Sequence, residues 1–174
     1  KTLDLGPSDL LVAVGDLVRK GPDSKGVVDI VRRRDNVMSV RGNNEQKLVD
    51  GSRTIPTLSD DDLAWIAGLP VAISWDDALV VHGGVHPSVP LSAHDAEMLL
   101  TMRAPAGGGY DGPFWFDAYR GSPRVFFGHT VLESPIEREW AVGLDTGCVY
   151  GGQLTAYDWH DEELISIEAN ETHR

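Results

Sequence analysis

Apolar residues in this chain fall into short blocks, each broken by a glycine and a polar side chain. The first block, residues 10–14 (Leu-Leu-Val-Ala-Val), has the length and β-branched content of a strand buried on both faces, and it stops at Gly15-Asp16. A turn over residues 20–24 follows. Val27, Val28, Ile30 and Val31 then share one helical face, predicting a helix over about 25–34 that ends in Arg32-Arg33-Arg34, charges suited to a helix C-terminus. Asn36 turns the chain into a second strand, 37–40, which runs into Arg41-Gly42-Asn43-Asn44-Glu45. Strand, helix and strand in this order read as a parallel βαβ unit with a right-handed crossover.

Downstream the same punctuation continues. A short helix over 45–50 closes at Gly51, and Ser59 ahead of Asp60-Asp61-Asp62 reads as an N-cap with an acidic first turn on a helix over 60–68. Those acids are capping groups. Residues 71–75 and 78–81 flank Asp76-Asp77 as a hairpin, and the second of these strands runs into His82-Gly83-Gly84-Val85-His86. Residues 94–103 are predicted helical, with Met98, Leu99 and Met102 toward the core. A glycine-rich loop over 106–112 precedes the aromatic cluster Phe114-Trp115-Phe116. The strand at 125–127 ends in Gly128-His129, later strands cover 141–144 and 153–159, and 163–168 reads as an edge strand. Residues 1–9 form a short polar approach to the first strand, with Gly6-Pro7-Ser8 as a loop. The pattern is that of an α/β protein without internal repeats.

With 174 residues, 41% hydrophobic and five Trp, one domain over residues 1–174 can bury a real core. No run approaches the roughly 20 apolar residues of a membrane span, and the N-terminus lacks signal-peptide regions. The single Cys148 excludes an internal disulfide and suits a reducing cytoplasm. A net charge of −12 repels nucleic acid and anionic membranes, so neither is an expected partner. An anionic small-molecule substrate then requires a locally positive pocket, which metal ions supply.

Four strand ends place a potential ligand beside glycine: Gly15-Asp16, Gly42-Asn43, His82-Gly83 and Gly128-His129. Each alone is ordinary, a helix cap or a hydrogen-bonded histidine. Together their Asp, Asn and His donors suit divalent ions such as Mn²⁺ or Fe²⁺ better than a thiolate-rich structural zinc site. Cys148 reads as a small core residue.

The segment Gly15-Asp16-Leu17-Val18-Arg19-Lys20-Gly21 resembles the second signature, GDxVDRG, of the calcineurin-like metallophosphoesterases. Pro22-Asp23-Ser24 is similar to the diadenosine-tetraphosphatase-like branch of that superfamily, whose members include the serine/threonine phosphatases. The resemblance implies a sandwich of two mixed β-sheets flanked by helices, with two divalent ions at the strand ends: Mn²⁺ first, with Fe, Zn, Co, Ni or Mg as alternatives. It makes Asp16 the bridging ligand and assigns Asn43, His82 and His129 to the second ion. Two such ions activate a water for in-line attack on phosphorus. Lys20 stands at the position of the family's phosphate-binding Arg, and Arg103 is the second candidate cation. Trp115, with Phe116, offers a face to a nucleotide base. The family reads GNHE where this chain has Gly42-Asn43-Asn44-Glu45, so Asn44 replaces a general acid and cannot deliver a proton. The leaving group is then a good one, or water or His86 protonates it, which favours a nucleotide polyphosphate over a phosphoserine. The family's first signature, Asp-x-His, is not found in these residues, and Lys1-Thr2-Leu3-Asp4 reads as a remnant of the helix that follows it. The expected activity is hydrolysis of a phosphoanhydride in a dinucleoside polyphosphate. Alternatives are a serine/threonine protein phosphatase and a non-catalytic metal- or phosphoryl-binding protein.

Overall fold

A computed structural model describes residues 5–6, 8–107 and 109–173, so the expected helix remnant over residues 1–4 lies outside the described residues. The chain opens as the predicted βαβ unit. Strand β1 (Leu11–Ala13) pairs in parallel with β2 (Val37–Ser39), Leu11 opposite Val37 and Ala13 opposite Ser39, with helix α1 (Ser24–Arg32) between them. The Asp23 carboxylate caps α1 by accepting the Gly26 N–H at 2.8 Å. Only Val28 and Val31 turn inward. Val27 and Ile30 are exposed, because positions three apart share one stripe and their neighbours rotate out of it. β1 is half-buried, not enclosed on both faces as its composition suggests; its strand partner among the described residues is β2 alone.

Helix α2 (Asn43–Val49) starts two residues before the expected 45, since the Glu45 carboxylate returns to the Gly42 N–H at 2.7 Å and pins the first turn. In α3 (Asp60–Ala67) Ser59 and Asp62 exchange bonds, the Ser59 hydroxyl accepting the Asp62 N–H and the carboxylate accepting the Ser59 N–H. The same carboxylate lies 3.2 Å from Arg32, tying α3 to α1.

The rest is built on a five-stranded mixed sheet ordered β3-β4-β5-β7-β6. β3 (Ala72–Trp75) and β4 (Ala78–Val81) form the hairpin read from the sequence. β4, β5 (Arg124–Phe127) and β7 (Ala141–Gly143) are parallel neighbours, and β6 (Ile136–Glu137) runs antiparallel to β7. β8 (Asp145–Thr146), β9 (Gln153–Asp158) and β10 (Glu163–Glu168) form an antiparallel group. The α/β class holds. Among the described residues the strands fall into three hydrogen-bonded groups, of which the five-stranded one is mixed.

Helices α4 (Ala96–Thr101) and α5 (Trp115–Ala118) cover one face of that sheet. Trp115 and Phe116 are fully buried there, with Trp115 edge-on to Phe127 at 4.8 Å. The Trp115 indole N–H donates to the Gly83 carbonyl at 3.1 Å, and Gly84 has no room for a Cβ beneath it. This corrects the assignment of Trp115 to substrate. A ring with no accessible face stacks no base, and its role is to hold the turn after β4. Parallel pairing brings the carboxyl ends of β4, β5 and β7 to one edge. There the Gly128 N–H bonds the His82 carbonyl and the Leu144 N–H the Phe127 carbonyl, both at 2.9 Å. No helix among the described residues is long and apolar enough to cross a membrane.

Candidate metal and phosphate site

A cleft of about 330 Å³ opens where these strand ends meet. It brings together Asp16, Lys20, Asn43, Asn44, His82, Arg103 and His129, and excludes Trp115. The backbone is forced here. Gly15 (φ +86°) lies so close to the α2 N-terminus that a Cβ would meet the Gly42 nitrogen at 2.7 Å. Asp16, Arg19 and His129 all have positive φ (58°, 92° and 62°), a conformation costing about 1–3 kcal/mol per non-glycine residue and concentrated at functional sites.

Asp16 is the hub. Its carboxylate accepts the Asn44 backbone N–H at 2.9 Å and the Asn44 side-chain amide at 2.6 Å, and lies 3.3 Å from His82 Nε2. Arg19 Nη1 in turn donates to Asn44 Oδ1 at 3.2 Å. Beneath them Glu45 is wholly buried and accepts the N–H groups of Gly42, Asp16 and Val18. Burial, and then the Asp16 charge, push its carboxyl up to about 7 against those three bonds. Glu45 therefore braces the 15–18 loop and is not itself open to a ligand.

The residues fit a divalent cation. His82 Nδ1–H donates to the Val14 carbonyl at 2.8 Å, which leaves the Nε2 lone pair facing Asp16. His82 Nε2 and His129 Nε2 are both buried without a hydrogen-bond partner. Burial, with His82 and Arg103 nearby, holds His129 down at about 3, so its imidazole is neutral and its lone pair free. Two orphaned imidazole nitrogens beside a carboxylate are costly by themselves and form the donor set that borderline divalent ions accept. Among the described residues no group of three or more His, Cys, Asp or Glu side chains could hold an ion unaided. Asn43 lines the same cleft, and its side-chain amide oxygen is a further donor type for such an ion.

Lys20 Nζ sits 4.1 Å over the Tyr150 ring, its pKa lowered by partial burial and by Arg19. The Arg103 guanidinium lies 4.6 Å over Tyr110, and its Nη2 donates to the His129 carbonyl at 3.1 Å. His86, an alternative proton source, is not part of the cleft, and its Nδ1 accepts the Ser88 N–H. Cys148 lines the cleft instead of filling the core; burial raises its thiol, which makes it a poor nucleophile. Sequence reasoning passed over Arg19, Asp145, Tyr110 and Tyr150. Asp145, its carboxyl raised by burial, follows β7 as another strand-end acid and was readable on that pattern.

A family model for calcineurin-like phosphoesterases matches residues 2–139. The asymmetrical bis(5'-nucleosyl)-tetraphosphatase PrpE of Anoxybacillus flavithermus is 42% identical over 53 residues, a match spanning 30% of this chain and 22% of that protein. The chain thus corresponds to under a quarter of the length of this relative. The symmetrical bis(5'-nucleosyl)-tetraphosphatase of Chromohalobacter salexigens is 28% identical over an alignment covering 86% of this chain and 84% of that protein. A crystal structure whose assignment as a diadenosine tetraphosphatase is provisional superposes with a TM-score of 0.83 at 33% identity, covering 94% of this chain and 82% of its own. The signature-bearing strand ends, the orphaned histidines and the matched span agree, and the chain belongs to the calcineurin-like phosphoesterase family.

Proposed function

We propose that the chain is a phosphohydrolase that cleaves a phosphoanhydride of a dinucleoside polyphosphate. The observation that carries this reading is the locked side chain of Asn44. It is bonded to Asp16 and Arg19 at the position where the family's proton donor stands, so the leaving oxygen meets an amide and a guanidinium instead of an acid. Such a site suits a leaving group that departs as a stable phosphate anion and disfavours an alkoxide such as serine.

The chain's own residues supply the remaining parts. Asp16, Asn43, His82 and His129 would hold divalent cations, Mn²⁺ foremost, and these supply a water of lowered pKa and neutralise phosphoryl charge when bound. Lys20 and Arg103 line the same cleft and would bind the flanking phosphates, Lys20 as a point charge and Arg103 as a planar fork. Asn44 fixes the Asp16 carboxylate, and Glu45 holds the Asp16 backbone from behind. Names of relatives at modest identity support a nucleotide polyphosphate as substrate.

The test is a comparison of kcat/KM for diadenosine tetraphosphate, a serine phosphopeptide and p-nitrophenyl phosphate with Mn²⁺ present. The tetraphosphate is expected to be the best of the three. A better phosphopeptide would replace the reading with a protein phosphatase, and no turnover of any substrate would leave a binding protein.

A further inference from the structure

Both phosphate-binding cations in the cleft rest on an exposed tyrosine. Tyr150 and Tyr110 are 44% and 56% exposed, line the same cleft as the strand-end ligands, and belong to none of the three buried core clusters. Tyr150 stands on a 3₁₀ turn, Cys148–Tyr150, bracketed by Gly147 and Gly151 in left-handed conformations. That turn is held by the Tyr150 N–H to the Gly147 carbonyl at 2.8 Å and by the His173 N–H to the Val149 carbonyl at 2.7 Å. Tyr110 stands on a second such turn, Gly109–Asp111. A large ring exposed at a polar cleft beside a cation has the makeup of a stacking platform next to a phosphate clamp.

We propose that Tyr150 with Lys20, and Tyr110 with Arg103, are two nucleoside subsites, each taking an aromatic base on the ring and the adjoining phosphate on the cation. The proposal rests on the phosphohydrolase reading above and deepens it, replacing Trp115 by two rings that have accessible faces. Without substrate each cation occupies a face of its own ring. A phosphate draws the cation away and frees that face for the base. The rings therefore read nucleotides and neglect nucleosides, because only a nucleotide brings the anion that uncovers them.

Titration calorimetry of the whole chain in EDTA with ADP, pyrophosphate and adenosine tests this without turnover. The wild type is expected to bind ADP roughly tenfold more tightly than pyrophosphate, within the range of base stacking on an aromatic side chain, and to bind adenosine only weakly. Tyr150→Ala and Tyr110→Ala together should erase the ADP advantage and leave pyrophosphate affinity in place, while the two Phe variants keep it. For diadenosine tetraphosphate each single Ala variant should raise KM several-fold, and the double variant by about the product. Equal affinity of the wild type for ADP and pyrophosphate overturns the proposal, as does a double Ala variant that weakens both alike or an unchanged KM in either single variant. If the wild type shows the ADP advantage but hydrolyses no phosphoanhydride, the subsites stand and the catalytic reading fails.

Discussion

Asn44 is held from two sides, and the second side changes what a substitution there should do. In the family signature the residue at position 19 is an acid; here it is Arg19, 3.2 Å from the Asn44 amide oxygen. A histidine at 44 would stand between the Asp16 carboxylate, which favours the imidazolium, and the Arg19 guanidinium, which disfavours it and so opposes the proton it would have to deliver. Asn44→His alone is therefore expected to gain little on phenyl phosphate or a phosphopeptide. Arg19→Asp with Asn44→His restores an acid beside the imidazole, and should raise kcat for poor leaving groups by up to ~10²-fold while leaving a polyphosphate little changed. Steady-state kinetics of the two variants on both substrate types decide the matter. Equal gains from the single and double variants would mean that Arg19 does not control position 44. The departure at 44 was visible in the sequence, whereas its partner was not, because only folding brings residues 19 and 44 together.

Among the elements, the contact between the β1 end and the α2 start carries the site. Gly42 faces the Asp16 backbone and carboxylate and the Glu45 carboxylate with no space for a methyl group. Gly42→Ala should cost roughly 1–3 kcal/mol, as overpacking of a closed site does. It should also weaken divalent-ion binding, since the residue that gives way is Asp16. Denaturant melts and Mn²⁺ titrations of the variant check both parts; a stable variant with unaltered Mn²⁺ affinity would show that the loops move apart freely. The longer elements were legible because their blocks of β-branched residues and the cap at Ser59 are local signals. β6 and β8, two residues each, were not, since pairing with β7 and β9 defines them and no local pattern does. Trp115 was misread for a related reason. An aromatic cluster beside a glycine loop looks the same in sequence whether it faces solvent or the underside of β5.

At the scale of the whole molecule, charge and metal meet in the pH dependence of stability. Cations that bind only the native state should raise stability by about 2.7 kcal/mol at ~100 times their dissociation constant, readable as a melting shift with Mn²⁺. In the metal-free protein His129 titrates at about 3 when folded, against 6.5 when unfolded. The fold thus favours the neutral ring, and the stability this represents is complete above pH 6.5 and drains away as pH falls from 6.5 through 3. Glu45 works in the opposite sense. Its carboxyl, raised to about 7 from 4.5, favours the fold below 4.5 and loses that contribution as pH rises through 7. Protonation also relaxes the net charge of −12, which lessens self-repulsion. These contributions overlap, so a single pH curve identifies none of them and a difference between variants is needed. His129→Asn keeps Glu45 and the overall charge but has no imidazole to protonate. Urea unfolding in EDTA at pH 7 and pH 4.5 should show the wild type losing more stability on acidification than His129→Asn, by a few kcal/mol at most. The gap should vanish above pH 7, where His129 is neutral in both states. Parallel curves for the two proteins across this range would mean that the buried nitrogen of His129 already has a partner, and the strongest argument for a cation at this cleft would go with it.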